Sequence, residues 1–299
     1  MIIGDNKGRV IANIKKAIEN GEYNKKVEVG DPNLTAKEQE EIIRNYMAKQ
    51  DKLGYKINSK IANVILSTVT NMENKETEFV GLENIKDITG GAIITSNHFN
   101  PLDNIIIQKL ARRMGKKKLY IVGQVTNLAM DGFIGFMMNH SNIIPISRQV
   151  SYLKKEFAKT IKNKLKENNY ILIYPEEEMW FNYKKPRTLK PGAYYYAAKN
   201  NVPIISCFVE MINTNEIDNL EFYKVKHVLH ILPPIYPDSS KTAKENSVIM
   251  MQKDYEQKKQ AYEQAYNKKL DYDFEIEDIA GWIRGDEGIE PIASFADSK

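Results

Sequence analysis

Residues 91–103 read Gly-Ala-Ile-Ile-Thr-Ser-Asn-His-Phe-Asn-Pro-Leu-Asp, an apolar run followed by a polar loop and a helix start. The apolar run has the length and composition of a short buried strand. Asn100 is a candidate N-cap, and Pro101 suits the first position of the helix that follows. This order predicts a strand, a loop that carries His98, and a helix whose first turn carries Asp103.

Short apolar runs alternate with helical stretches through most of the chain. The runs are residues 92–95, 119–122, 143–146, 171–174, 204–209 and 228–232. Such alternation predicts an α/β fold with a mainly parallel or mixed central sheet flanked by helices. We expect residues 1–75 to form an N-terminal helical segment packed on the core. Residues 76–238 are expected to form the α/β core, and residues 239–299 a C-terminal helix and an extended tail.

Composition excludes several classes of protein. The 299 residues are 42% apolar and 27% charged, which is ordinary for a globular enzyme. A net charge of +4 permits attraction to an anionic membrane surface and is too small to indicate nucleic-acid binding. One cysteine, Cys207, cannot form an internal disulfide. No run approaches the ~18 apolar residues of a membrane span, and no hydrophobic leader is visible, so a cytoplasmic location is expected.

His98 and Asp103 are a candidate catalytic pair. On one continuous helix a five-residue spacing would turn the side chains apart, so the loop would have to bring the imidazole over the carboxylate. An ionised Asp near a helix N-terminus can fix the tautomer of a histidine and stabilise its imidazolium. Alternatively, Asp103 only caps the helix. Spacing alone leaves both interpretations open.

Further blocks follow in chain order. Arg148 follows the apolar run 143–146, and the sequence Tyr-Pro-Glu at 174–176 follows the run 171–173. A Lys-x-Gly begins at Lys190, and Pro-Ile occurs at 203–204. Together with Asn-His-x4-Asp at 97–103, these blocks resemble those of the lysophosphatidic acid acyltransferases, a family of glycerolipid acyltransferases. The resemblance covers about residues 78 to 212.

The resemblance implies an enzyme that moves a fatty acyl group from a thioester to a hydroxyl of a lysophospholipid or related glycerolipid. His98 would be the general base and Asp103 its orienter. Arg148 and Lys190 would contact the phosphate of the acceptor. The implied partners are the acyl donor, the lipid acceptor and the inner face of the membrane, to which the protein would bind peripherally. Coenzyme A, acyl carrier protein or acyl phosphate would supply the donor. No cofactor is implied, and the other histidines show no metal-ligand spacing.

The block at residues 174–179 departs from the family pattern. The family has Gly-Thr-Arg after the glutamate, whereas this chain has Glu177, Glu178 and Met179. Three acids, Glu176 to Glu178, would repel a phosphate unless Lys184, Lys185 or Arg187 pairs with them. The three glutamates therefore either contact a hydroxyl-rich acceptor or are structural. A glycolipid or polyol acceptor, an acyl-thioester hydrolase and a non-catalytic lipid-binding protein are the alternative functions.

Two further expectations concern where particular segments lie in the folded protein. The segments with His98, Arg148 and Glu176 each follow a predicted strand, so a parallel arrangement would gather them on one edge of the sheet. The apolar residues 132–138, Gly-Phe-Ile-Gly-Phe-Met-Met, could enter a membrane interface or line an acyl tunnel, but we expect them to pack as a buried helix.

Overall fold

The computed structural model describes residues 7–30, 32–116, 118–147 and 149–285. The helices are α1 (Lys7–Glu19), α2 (Ala36–Lys49), α3 (Leu53–Glu73), α4 (Asn104–Arg113), α5 (Gly132–His140), α6 (Val150–Tyr152), α7 (Ala158–Lys166), α8 (Gly192–Asn200) and α9 (Ala243–Tyr266). The strands are β1 (Glu78–Val80), β2 (Ala92–Thr95), β3 (Leu119–Gln124), β4 (Ile143–Ile146), β5 (Tyr170–Ile173), β6 (Ile204–Ile217) and β7 (Tyr223–Ile231).

The strands form one mixed sheet in the order β1-β7-β6-β2-β5-β3-β4. Strands β2 to β6 are parallel to one another, whereas β7 pairs antiparallel with β6 and parallel with β1. Pro145 lies in β4, the strand at the end of this order, where a missing backbone donor disrupts little. The predicted fold class, a mixed sheet flanked by helices, is confirmed.

Alternating residues of the strands supply two cores, one on each face of the sheet. On one face, Tyr170 and Leu172 of β5 cluster with Leu110 of α4. On the other face, Ile171 clusters with Ile161 of α7 and with side chains of α8 and α9. The helices therefore divide into a layer containing α3, α4 and α5 and a layer containing α7, α8 and α9. This is the arrangement that the period-two alternation of a buried sheet requires.

Local signals set the ends of several elements. Thr35 and Glu38 form a capping box before α2, and Thr242 and Glu245 form another before α9. Gly91 precedes β2 where the end of α7 approaches closely, because a Cβ there would lie 2.3 Å from the Leu165 carbonyl oxygen.

The first helix of the core begins later than the sequence predicts. Residues 101–103 form a turn, and α4 starts at Asn104 with Asp103 in the N-cap position. Asn100 does not cap α4; its side-chain oxygen accepts instead from the Leu102 backbone amide at 3.1 Å. The helix is delayed because the Asp103 carboxylate turns back toward the loop that precedes it.

The segment after α9 packs against the protein as far as residue 285. Ile279 and Ala280 are buried, and Ile279 pairs in an isolated bridge with Tyr183. Trp282 makes a similar bridge with Phe222. The part of the predicted tail that the structure describes therefore packs on the same apolar cluster as α1, and residues 286–299 lie outside the described residues.

Candidate functional site

The carboxyl ends of three adjacent parallel strands converge on one edge of the sheet. Strand β5 lies between β2 and β3, and Thr95 at the end of β2 is paired in register with Ile173 at the end of β5. The loop after β2 carries His98, and Tyr174 follows β5 directly. Gln124 ends β3. Residues 174–179, the third block, therefore lie next to His98.

His98 and Asp103 are in direct contact. His98 Nδ1 lies 2.8 Å from Asp103 Oδ2. The Asp103 side chain is buried, whereas the His98 side chain keeps 21% of its surface exposed. Because Nδ1 is bound to the carboxylate, Nε2 is the ring nitrogen that can take a proton from a substrate.

The Asp103 carboxylate points into the loop and not along its helix. Oδ2 also accepts from the backbone amides of Phe99 at 2.9 Å and Asn100 at 3.3 Å. Oδ1 accepts from the Tyr174 hydroxyl at 2.5 Å. The side chain makes no capping bond to α4. Of the two interpretations left open by the spacing, this geometry favours an orienter of His98 over a simple helix cap.

Glu176 has a structural environment. Its Oε2 accepts from the Arg187 guanidinium at 2.8 Å and from the His98 backbone amide at 3.2 Å, and its Oε1 accepts from the Arg187 backbone amide at 3.0 Å. Both side chains are almost fully buried. Burial lowers the pKa of Arg187, and the Glu176 carboxylate opposes that shift. This pairing argues against the predicted contact of Glu176 with the acceptor. Glu176 instead connects the third block to the loop that carries His98, through its bond with the His98 backbone amide.

Glu177 and Glu178 differ from Glu176 because both reach solvent. Glu177 is exposed, and Glu178 is half-buried. Glu178 Oε1 accepts from the Gln124 side-chain amide at 3.0 Å, which links the ends of β5 and β3. Met179, where the family has a cation, is also half-buried. The structure therefore keeps two of the three predicted acids at the edge that carries His98.

The structure describes one of the two residues predicted to contact the acceptor phosphate. Arg148 lies outside the described residues. Lys190 is exposed, and its backbone amide donates to the Pro175 carbonyl at 2.8 Å, so it lies just behind the third block. Arg187 is not a substitute for them, because its guanidinium is committed to Glu176 and to the Glu178 and Tyr23 carbonyls.

A second histidine and carboxylate pair lies on the β6–β7 hairpin. His230 Nε2 is 2.7 Å from Glu210 Oε2, although the two residues are 20 positions apart and showed no pairing signal in the sequence. The His230 side chain is 22% exposed, close to the value for the His98 side chain. Over the residues that the structure describes, no three His, Cys, Asp or Glu side chains group in a way that could hold a metal ion.

Sequence reasoning missed two contributors to this edge, the Tyr174 hydroxyl and Gln124, and left the pairing of a third, Arg187, undecided. Tyr174 was identified only as the aromatic residue of its block, with no role for its hydroxyl. Gln124 had a weak signal, since it is a polar residue at the end of a predicted strand. Arg187 was one of three cations that could have paired with the acids, and only the fold selects it.

Glu177 occupies a backbone conformation that favours glycine, the residue that the family pattern has here. Its φ is +66°, in the left-handed region. We expect Glu177→Gly to raise the free energy of unfolding by about 0.5 to 1 kcal/mol, because relief of the left-handed strain exceeds the entropy that glycine adds to the unfolded chain. Urea unfolding measures the difference. Glu177→Ala is the control, since it removes the same carboxylate without relieving the strain, and an equal gain in both variants would contradict this explanation.

Comparisons with known proteins address the family directly. A family model described as Acyltransferase matches residues 68–210, which include the dyad of His98 and Asp103 and the third block. No curated protein matches the chain. Among solved structures, the chain is similar to the 1-acyl-sn-glycerophosphate (LPA) acyltransferase PlsC from Thermotoga maritima, with 15% identity and a TM-score of 0.44 over 78% of this chain and 90% of that one. Residues 68–210 of this chain therefore form a domain of the acyltransferase family, as the sequence blocks predicted.

Proposed function

We propose that this protein transfers a fatty acyl group from a thioester donor to a hydroxyl group of a lipid acceptor, with His98 as general base. The observation that carries the proposal is the 2.8 Å contact between His98 Nδ1 and the buried Asp103 carboxylate, at a partly exposed imidazole. Family membership supports acyl transfer as the reaction class.

The reaction follows from this geometry. His98 Nε2 takes the proton of the acceptor hydroxyl as its oxygen attacks the thioester carbonyl, and Asp103 stabilises the imidazolium that forms. The tetrahedral intermediate then breaks its carbon–sulfur bond. The thiolate leaves with the proton that the imidazolium returns, and the histidine is neutral again. No acyl-enzyme is required, because the activated hydroxyl attacks the donor directly.

The third block favours a neutral, hydroxyl-bearing acceptor over a phosphomonoester. Glu177 and Glu178 stand where the family pattern has a small residue and a hydroxyl, and Met179 replaces its cation. The buried pair of Glu176 and Arg187 supplies no free positive charge. Carboxylates accept hydrogen bonds from hydroxyl groups and repel phosphate. A glycolipid or another polyol lipid is therefore the acceptor that we propose.

A panel assay tests the activity. The purified protein is incubated with a labelled acyl-coenzyme A or acyl carrier protein donor and one acceptor at a time, and products are identified by mass spectrometry. We expect an acylated lipid to form with a neutral glycerolipid acceptor. Release of free fatty acid at the same rate with and without every acceptor would instead indicate the thioester hydrolase.

Because the proposed acceptor and product are lipids, we expect the protein to bind a membrane. Helix α3 presents a surface suited to such binding. Exposed apolar side chains recur along one face of α3, and we call these residues the apolar stripe: Leu53, Ile57, Ile61 and Val64. Leu53 is 75% exposed. A row of exposed lysines runs beside the stripe at the same spacing, at Lys52, Lys56 and Lys60. An apolar face flanked by cations is typical of helices that bind anionic membrane surfaces.

Helix α5 also carries exposed apolar side chains. It packs against α3, yet Phe133 and Ile134 are exposed at 64% and 43%. The expectation that residues 132–138 pack as a buried helix is therefore wrong, because only Gly135 of this segment is buried. Gly135 is the buried residue of α5. It packs directly against the Met130 carbonyl, where a Cβ atom would not fit. In the described part of the chain, no helix combines the length and the apolar character that crossing a bilayer requires. The exposed apolar and basic side chains of α3 lead us to propose peripheral binding to a membrane surface.

Removing one side chain of the stripe should weaken vesicle binding. We expect Ile57→Gln to lower the partition coefficient on anionic phospholipid vesicles by about tenfold, because embedding one such side chain contributes about 1.5 kcal/mol. Vesicle flotation measures the partition. Ile249→Gln is the control, since Ile249 is also exposed but lies on α9 in the opposite helix layer. Equal losses in both variants, or binding of the wild type to neutral vesicles alone, would contradict the proposal.

A further inference from the structure

Tyr174 contacts both members of the dyad. Its ring stacks on the His98 imidazole with the centroids 3.9 Å apart and the planes 13° from parallel. Its hydroxyl donates to Asp103 Oδ1 at 2.5 Å. One side chain therefore touches the imidazole face and the carboxylate oxygen that does not bind the imidazole.

The fold holds Tyr174 firmly in this place. Parallel pairing of β2 with β5 aligns Thr95 with Ile173, so the residue after each strand lies at the same edge. The turn that follows is closed by a bond from the Glu177 amide to the Tyr174 carbonyl. Glu176 then binds the His98 backbone amide, which ties this turn to the loop of the dyad.

The hydroxyl is the donor in its bond to Asp103. Burial and the adjacent Asp103 carboxylate raise the pKa of Tyr174 well above its usual value, so the phenol keeps its proton over the working pH range. The hydrogen bond from this hydroxyl therefore offsets part of the negative charge on Asp103 Oδ1, while Asp103 Oδ2 contacts His98 Nδ1.

We propose that Tyr174 is a positioning residue of the dyad, whose ring fixes the plane of the His98 imidazole and whose hydroxyl limits the negative charge that Asp103 presents to it. This inference rests on the proposed role of His98 as general base. It adds a function for the hydroxyl, which an aromatic residue without one at this position would lack.

The proposal predicts a change in pH dependence with a defined sign. Without the hydroxyl, Asp103 presents more negative charge, so the protonated imidazole is favoured and a higher pH is needed to obtain the neutral base. The charged and titratable groups around the dyad include Asp103 itself, Glu176 on the His98 backbone amide, its partner Arg187, and His227, which is electrostatically coupled to Asp103. Glu176 and Arg187 neutralise each other as a buried pair. Burial lowers the pKa of His227 to about 4, so it is neutral where the enzyme is assayed.

Two variants separate the ring from the hydroxyl. Tyr174→Phe keeps the stacked ring, and we expect the acid limb of the kcat/KM profile, which reports the free enzyme, to move upward by about 0.5 to 1 pH unit. The midpoint of the His98 NMR titration should move by the same amount in the protein without substrate. Tyr174→Leu also removes the stacking, and we expect kcat to fall by about tenfold or more with the acceptor KM near the wild-type value.

Tyr170→Phe is the matched control. Tyr170 is a buried tyrosine at the start of β5, the end of that strand opposite to Tyr174, and its hydroxyl donates to the Ile88 carbonyl. Its removal should leave the pH profile and the His98 titration unchanged. If neither the NMR midpoint nor the acid limb moves in Tyr174→Phe, the inference is wrong. If the NMR midpoint moves while the acid limb does not, Tyr174 acts on His98 as inferred, and the proposed role of His98 as base fails instead.

Discussion

Replacing His98 by alanine is expected to lower acyl transfer by about 10² to 10⁴ fold, because general base catalysis contributes that much to a rate. The fold should survive, since His98 lies in a loop and its side chain is partly exposed. The measurement is the rate of product formation at saturating donor and acceptor, with circular dichroism and thermal unfolding to verify the fold. A folded variant with wild-type turnover would remove His98 from the mechanism.

Two variants make this test specific. His230→Ala removes a histidine of nearly equal exposure that also binds a carboxylate, and we expect it to keep wild-type activity. Asp103→Asn should lower the rate more than it lowers stability, because an amide can still accept from the loop amides but cannot balance an imidazolium. An Asp103→Asn protein that unfolds readily but transfers acyl groups at the normal rate would assign Asp103 to the fold alone.

Restoring the usual residues of the family at two positions is expected to change acceptor selection. Wild type should prefer a glycosylated glycerolipid over lysophosphatidic acid, and Glu177→Gly with Glu178→Thr should shift the ratio of kcat/KM values toward the phosphorylated acceptor by about ten- to a hundredfold. Two like charges near a phosphate cost on the order of 1.5 to 3 kcal/mol after solvent screening. A competition assay with both acceptors in one reaction gives the ratio directly.

An isosteric control separates charge from shape. Glu177→Gln with Glu178→Gln removes both charges and retains the side-chain volume, and the amide introduced at position 178 can still accept the bond from Gln124 through its oxygen. We expect this variant to show most of the same shift. A wild-type preference for lysophosphatidic acid, or no shift in either double variant, would make the two acids structural and return the acceptor to the phosphorylated class.

Several features of the fold followed from local sequence. The apolar runs at β2, β4 and β5 were placed within a residue of their observed bounds, because a buried strand needs consecutive apolar residues. The Thr-x-x-Glu pattern at residues 35–38 likewise predicts the start of α2, since Thr35 and Glu38 satisfy each other's groups without help from the rest of the chain. The contact of His98 with Asp103 also depends on one short loop, and the sequence offered it as one of two interpretations, the other being a simple helix cap.

Other features depend on which strands and helices become neighbours. The exposure of Phe133 and Ile134 could not be predicted, because an apolar helix is buried or exposed according to what packs over it. Glu176 could have paired with any of three nearby cations, and the turn of the third block selected Arg187. Bounds shifted for the same reason: β6 extends to Ile217 because its hairpin partner β7 supplies backbone partners beyond the apolar run.

The sequence by itself determined the alternation of strands and helices, the family blocks and the residues of the dyad, because each rests on side chains that lie within a few positions of one another. Only the tertiary structure decided what surrounds the dyad. The order of the sheet places β5 between β2 and β3, so Tyr174 stacks on His98 and Gln124 binds Glu178. These contacts join residues 54 to 76 positions apart in the chain, and no local pattern encodes them because they form only when the sheet closes that distance.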